Sequence, residues 1–268
     1  MPLHIVVCVK HTPSTIAVDV DSATGQPRTA GLVFAMNPFD EYAVEEAVRI
    51  KERNPGSTIT ALSLGPDADQ AVLRDAISRG CDAAFLITGP EVLGSDSYAT
   101  SRALAAAIRK ISEQKPVHLA LFGKNTNDGN SGVVGGMVAA WLDWPGVLSV
   151  KKIQAIDESA ATLWRMMEDG IDVVKVGLPA AVGTVKEINE PRIPSLKGKM
   201  AAKKAVIAKW TAADIGLKPE EAGAAGSPSR LARSAPPPPR PAGLRIAGAT
   251  ASEKAEKLVT TLIERKLI

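Results

Sequence analysis

The sequence predicts an α/β protein built on a parallel sheet with helices on both faces. Three observations lead there. Short apolar, β-branched runs alternate with longer amphipathic stretches at the spacing of βαβ units. The runs are apolar almost throughout, as strands covered on both faces must be. Gly, Pro, Asn and Asp punctuate the joins between them.

Leu3–Val9 (LHIVVCV) reads as the first buried strand. Asn37-Pro38-Phe39 then opens a helix over Asp40–Arg53, with Tyr42, Ala43, Ala47, Val48 and Ile50 on one face. Its acids come early and its bases late, as the helix dipole prefers. Thr58–Leu64 is a strand ended by Gly65-Pro66, and Ala68–Arg79 is a helix stopped by Gly80. Ala83–Thr88 is a strand, Ser97–Ile111 an Ala-rich helix, and Val117–Phe122 a strand that runs into a Gly/Asn-rich loop.

After a helix over Gly132–Leu142 the pattern changes. Leu148–Ile156, Thr162–Met167 and Asp172–Val176 read as a meander of short strands, and Ala180–Val185 as one more strand. Asn189–Lys204 reads as irregular and basic. Gly216–Gly243 is rich in Pro, Ala, Gly and Ser, with Pro236–Pro239 in a row, and reads as an extended linker. Ser252–Lys266 closes the chain as an amphipathic helix presenting Leu258, Val259, Leu262 and Ile263. A lone short helix needs a surface to dock on. The expected organisation is an α/β domain over 1–210 and an arm with its helix over 211–268.

Composition excludes several function classes. A length of 268 residues supports one large domain with an appendage, or two small domains. A net charge of +3 and 4% aromatics give no footprint for nucleic acid. Cys8 and Cys81 form no CxxC pair and read as reduced, buried thiols. His4, His11 and His118 lack ligand spacing, so no metal is expected. No apolar run approaches a bilayer span. Met1–Lys10 lacks the features of a signal peptide, so the expected location is the cytoplasm, or the mitochondrial matrix in a eukaryote.

The strongest chemical signal is the loop GKNTNDGNSGVVGG, Gly123–Gly136. Its glycines free backbone N–H groups to converge on an anion, and the following helix points its N-terminus the same way. Asn130 and Ser131 can add hydrogen bonds to phosphate oxygens. It is neither a Walker A loop nor a GxGxxG fingerprint, and a plain Gly-rich loop is the competing reading. Loops after Val9, Leu64 and Phe122 should converge beyond the carboxyl ends of the strands. Asn37–Asp40 caps a helix and can also reach a nucleotide there.

Lys186–Lys209 holds seven Lys/Arg against two acids. A solvated basic face is the ordinary reading of such a run. Leu196 among these cations, between two helix-breaking features, Pro194 and Gly198, points instead to docking on an acidic partner. No Ser/His/Asp set, HExxH or carboxylate pair beside a nucleophile is present, so no catalytic residue is assigned.

Four segments, in this order and spacing, resemble the beta subunit of electron transfer flavoprotein. They are MNPFDEYAVEEAVRIKE (Met36–Glu52), GK…D (Gly123–Asp128), WLDWP (Trp141–Pro145) and NEPR…SLKGKMAAKK (Asn189–Lys204). The resemblance spans nearly the whole chain. It implies a three-layer parallel-sheet nucleotide-binding domain, adenine nucleotide α-hydrolase-like, with an extended C-terminal arm and terminal helix. It implies an electron carrier without a catalytic site of its own, paired with an alpha subunit that holds most of an FAD. A structural AMP would lie in this chain. Electrons would pass from acyl-CoA dehydrogenases or related flavoenzymes to a quinone oxidoreductase, with no membrane insertion and no nucleic acid.

By position, the nucleotide contacts fall on Cys8, Asn37, Pro38, Phe39, Asp40, Leu64, Gly123, Lys124, Asn125, Thr126, Asn127, Asp128, Gly129, Asn130, Ser131, Gly132, Val133 and Val134. The partner-docking positions fall on Pro191, Arg192, Pro194, Leu196, Lys197, Met200, Lys203 and Lys204. The arm and last helix would wrap the alpha subunit. The chain departs from the family pattern at DGNSGVVGG, where AMP-binding members carry a more polar run. Val134-Gly135 leans towards electron-bifurcating members, which hold a second FAD in place of AMP, and Met137 leans towards AMP binders. Met166 replaces a family Glu, and Gly223–Pro241 is longer and richer in Pro than usual. A stand-alone ATP-binding stress-type module on the same kind of sheet is a further alternative.

Overall fold

The structure, a computed structural model, describes residues 2–21, 24, 25, 27–235, 238, 240 and 242–268. Met1 of the N-terminal stretch and Pro236, Pro237, Pro239 and Pro241 of the expected linker lie outside the described residues.

β1 (His4–Cys8) forms the sheet's centre because both of its faces are apolar. Ile5 and Val7 enter one core and Val6 and Cys8 the other. β2 (His11–Pro13) and β3 (Phe34–Met36) pair as a separate antiparallel ribbon. The remaining strands are β4 (Thr58–Leu64), β5 (Ala83–Ile87), β6 (Leu119–Gly123), β7 (Gly146–Ile156), β8 (Ala160–Met166), β9 (Ile171–Gly177), β10 (Ala180–Thr184) and β11 (Ala208–Trp210). They join β1 in a nine-stranded sheet ordered β11-β5-β4-β1-β6-β10-β7-β8-β9. From β11 to β7 all pairings are parallel; β8 and β9 add an antiparallel extension. β1 sits between β4 and β6, so the chain leaves it to opposite sides. Such a switch point opens a crevice at the strands' carboxyl ends.

α1 (Pro38–Arg53) and α2 (Gln70–Arg79) cover one face, supplying Val44, Ala47 and Leu73 to the first core. α3 (Ser97–Gln114) and α4 (Val134–Leu142) cover the other with Leu104, Ile108 and Val138. Gly80 ends α2 at φ +133°, and a Cβ there would meet Val48 at 3.1 Å, so both conformation and packing call for glycine. The inner face of the β7–β9 extension continues the first core through Ile153, Leu163 and Val176. Its outer face leaves Met166, Ile171 and Val173 exposed.

Two stretches differ from expectation. Asn189–Lys204 is not irregular throughout: its second half is α5 (Leu196–Lys204). Pro194 precedes the cap Ser195, whose Oγ accepts the Gly198 N–H at 3.0 Å, so it interrupts nothing. Gly198 is not a breaker either. A Cβ there would collide with the Ser78 carbonyl oxygen and lie 3.0 Å from its carbon, so this glycine lets α5 lie on α2. The expected linker also begins later than Gly216. Ala222 is buried in the second core, as Ala212 and Ile215 are just before the expected linker, and Glu221 pairs with Arg102 of α3. Small residues read as linker because they carry little hydrophobic signal, yet they fit close to a helix. The terminal helix is α6 (Ala251–Glu264), capped by Thr250. Leu258, Val259 and Ile263 on it are about half exposed.

Candidate functional site

A cavity of about 550 Å³ opens at the carboxyl ends of β1, β4 and β6, where the switch point places it. Twelve of the residues expected at a nucleotide line it: Cys8, Asp40, Leu64, Gly123, Lys124, Asn125, Thr126, Gly129, Ser131, Gly132, Val133 and Val134. Asn130 lies on a smaller adjoining space with Ser131, Leu148 and Ser149.

The others shape the loop from behind. Asn37 is fully buried; its Nδ2 donates to the Asn125 carbonyl (2.9 Å) and its Oδ1 accepts the Asn127 N–H (3.2 Å). Asn127 donates to the Pro13 carbonyl at 2.9 Å, tying the loop to β2. Asp128 accepts from Lys10 Nζ at 2.6 Å. Burial alone would raise the Asp128 carboxyl, but hydrogen bonds from Lys10 and Thr126 outweigh it and hold it below the usual value. Phe39 contributes backbone: a Cβ on Gly123 would lie 2.7 Å from its carbonyl carbon. Pro38, at the first turn of α1, fixes the entry of that helix.

The cradle fits an anionic ligand. α4 has no side-chain cap, so its first-turn N–H groups lack that partner, and Val133, Val134 and Gly135 bring this end to the cavity. Asn130 and Gly132 adopt left-handed conformations (φ 49° and 65°) that turn the loop. Gly135 packs so closely that a Cβ would meet the Phe122 ring at 3.1 Å.

Asp40 is the charged group most altered by its surroundings. Burial pushes its carboxyl up to about 7, against hydrogen bonds from Asn37, Lys10 and Gly123. Lys10 N–H donates to its Oδ2 at 2.8 Å. An acid whose folded value exceeds the unfolded one takes up protons on folding, so its contribution to stability falls as pH rises from about 4 to about 7. The non-ionising variant Asp40→Asn should therefore gain on the wild type across that interval, by at most about 1.4 kcal/mol per pH unit, and run parallel above it. Urea midpoints at pH 5, 6, 7 and 8 measure this; a pH-independent difference contradicts it.

Several lining residues were not expected. His11 Nδ1–H donates to Asp69 Oδ1 at 2.9 Å, across 58 residues of sequence, and the ring tilts against Phe34. Val92–Ser97, Thr100 and Leu104 form the far wall. No local spacing signals these residues; only the fold of the β2–β3 ribbon and α3 brings them in. His4 and His118, which read as scattered, meet at the opposite end of the sheet, where His4 N–H donates to His118 Nδ1 at 3.0 Å. Burial lowers the His4 value.

The expected docking segment forms a second surface. Leu196 is 80% exposed and Met200 50%, one turn apart on α5, with Lys197, Lys203 and Lys204 also exposed. Ile193 and Val206, both 88% exposed, extend the apolar surface and were not singled out. Pro191 and Pro194 are half-buried. Arg192 does not face outward: its guanidinium binds Glu45 at 2.7 Å and Glu52 at 2.6 Å, fastening the segment to α1. Desolvation opposes ionisation of Glu45, but Arg192 and Arg49 outweigh it and hold its carboxyl below the usual value.

No group of His, Cys, Asp and Glu able to hold a metal occurs among the described residues, and none of their helices is long and apolar enough to cross a membrane. Residues 29–215 match the model of the electron transfer flavoprotein domain. The chain is 38% identical to the caffeyl-CoA reductase-Etf complex subunit CarD of Acetobacterium woodii, over 99% of this chain and 100% of that protein. It is 33% identical to the electron transfer flavoprotein subunit beta of Megasphaera elsdenii, with the same coverage. It is 34% identical to protein FixA of Azotobacter vinelandii, over 89% of this chain and 85% of that protein.

Proposed function

Since this chain belongs to the electron transfer flavoprotein family as a beta-type subunit, we propose that it pairs with an alpha-type subunit and holds a structural AMP in the cavity. The observation that carries the reading is the cavity itself. An uncapped helix N-terminus and a glycine loop converge at the end of a parallel sheet. Gly123–Val134 hold the phosphate, and Asn37 and Asp128 hold the loop. The redox group is an FAD carried mainly by the alpha subunit, which supplies the electron storage.

Electrons arrive from a flavoenzyme acting on CoA thioesters, an acyl-CoA dehydrogenase or a relative, and leave to a quinone oxidoreductase or similar acceptor. The similarity to a subunit of a caffeyl-CoA reductase complex supports a partner that acts on CoA thioesters. Leu196 and Met200 anchor the donor flavoenzyme while the lysines of α5 complement an acidic surface. Leu196→Ala should raise KM for the donor about 10-fold, from loss of roughly 1–2 kcal/mol, and leave the flavin spectrum intact. An unchanged KM in the coupled assay counts against the docking role.

A second reading places FAD where AMP would lie, as in an electron-bifurcating subunit. It is favoured by the adjoining space beyond Asn130, which extends the cavity past the loop. Counting flavin and AMP on the co-expressed heterodimer tests both. One FAD with one AMP supports the first reading, two FAD the second, and a heterodimer without flavin overturns the assignment. Membership of the family displaces the stand-alone ATP-binding module.

A further inference from the structure

The far wall of the cavity is also the surface on which the arm is rooted. Val92, Leu93, Asp96 and Ser97 line the cavity. The same stretch bonds to residues 212–224: Ala212 N–H donates to Glu91 Oε1 at 3.1 Å and Ala224 N–H to the Leu93 carbonyl at 3.1 Å. Gly223 makes the approach possible. It sits at φ +56°, and a Cβ would collide with the Glu91 carbonyl and lie 2.9 Å from that of Leu93.

Asp96 is where these contacts meet. Its Oδ1 accepts the N–H groups of Tyr98 (2.9 Å) and Ala99 (3.0 Å), capping α3 on the cavity side. Its Oδ2 accepts the Ser229 N–H at 2.9 Å, and its own N–H donates to Ser227 Oγ at 2.8 Å. Ser227 is buried and donates in turn to the Gly223 carbonyl at 2.7 Å. Burial opposes ionisation of Asp96, but the N–H donors of Ala99, Ser229 and Tyr98 outweigh it and hold its carboxyl below the usual value. One side chain thus joins the N-terminus of a cavity helix to the last packed residues before the arm that carries α6.

We propose that Asp96 is a positioning residue that makes the cavity wall and the arm root, residues 222–229, one mechanical unit, so that a nucleotide filling the cavity tightens the arm root. The proposal rests on the reading of the cavity as a nucleotide site. Coupling of this kind is reciprocal: what orders one side favours the other.

Hydrogen exchange on the full-length chain tests it, with AMP and, separately, FAD as probes. The expected result is slower exchange at 91–99 and, although none of residues 222–229 lines the cavity, about 5-fold slower exchange there too. Ser227→Ala should abolish the response at 222–229, retain it at 91–99, and weaken binding of the same nucleotide several-fold. Protection at 91–99 with none at 222–229 overturns the coupling and leaves the nucleotide reading standing. Protection nowhere with either nucleotide overturns both. A wild-type response in both Ser227→Ala and Asp96→Ala, which also frees the Ser229 N–H, removes the assigned route through Asp96.

Discussion

Gly123→Ala should abolish nucleotide retention and lower the unfolding midpoint by roughly 5–10 °C, the equivalent of about 2–3 kcal/mol. The glycine ends β6 and starts the loop. A Cβ there would collide with Asp40 Oδ1 and lie 2.7 and 2.8 Å from the Phe39 carbonyl carbon and oxygen. Two of those three atoms are backbone at the start of α1, so no rotamer change relieves the contact. The chain must move, and β6 and α1 both carry walls of the cavity. Gly129→Ala is the control. Its Cβ would meet Thr126 Oγ1 at an ordinary 3.5 Å, so stability should stay within about 0.5 kcal/mol. Thermal melts and nucleotide content after purification measure both. A Gly123→Ala protein that melts with the wild type and keeps its nucleotide refutes the packing argument.

Ending the chain after Ser229 should abolish capture of the alpha subunit while leaving the remaining domain as stable as before. Among the described residues removed, few are buried against the rest of the chain, and Leu258, Val259 and Ile263 of α6 stay about half exposed. Covering each contributes on the order of 1 kcal/mol, so losing the helix should weaken pairing at least about 100-fold. Ending the chain after Trp210 is a different experiment. It strips Ala212, Ile215 and Ala222 from the second core and the Glu221 partner from Arg102, and should lower stability by several kcal/mol. Co-purification and urea melts of the two truncations separate the roles. If the shorter cut is as stable as the longer one, residues 211–229 are not part of the domain.

Helix and strand positions were legible because their signals are local. Leu3–Val9, Thr58–Leu64 and the helix ending at Gly80 all lie where periodicity and caps put them. Even the meander was readable from its turns. α5 was not, because Gly198 looks like a breaker in isolation. Its reason, the Ser78 carbonyl on α2, lies 120 residues away. The arm root was missed for a related cause: Ala212, Ala222 and Ser227 are small, and smallness signals burial only once a neighbour is known. Of the site, the loop and Asn37–Asp40 stood out through glycine, proline and resemblance. Arg192 stands among the docking positions by resemblance; its pairing with Glu45 and Glu52 was not legible because only the fold brings α1 alongside.

The sequence by itself determined the α/β class, most of the order of the elements, the position of the glycine-rich loop and the family, since each depends on residues close together or on ordered motifs. Only the tertiary structure decided which of those residues share the cavity. The switch point at β1 brings Cys8, Leu64 and Gly123 side by side, and the β2–β3 ribbon and the starts of α2 and α3 add His11, Asp69 and Asp96. Sheet order also determines that Asp40 loses water and rises to about 7, because its desolvation comes from chain segments remote in sequence.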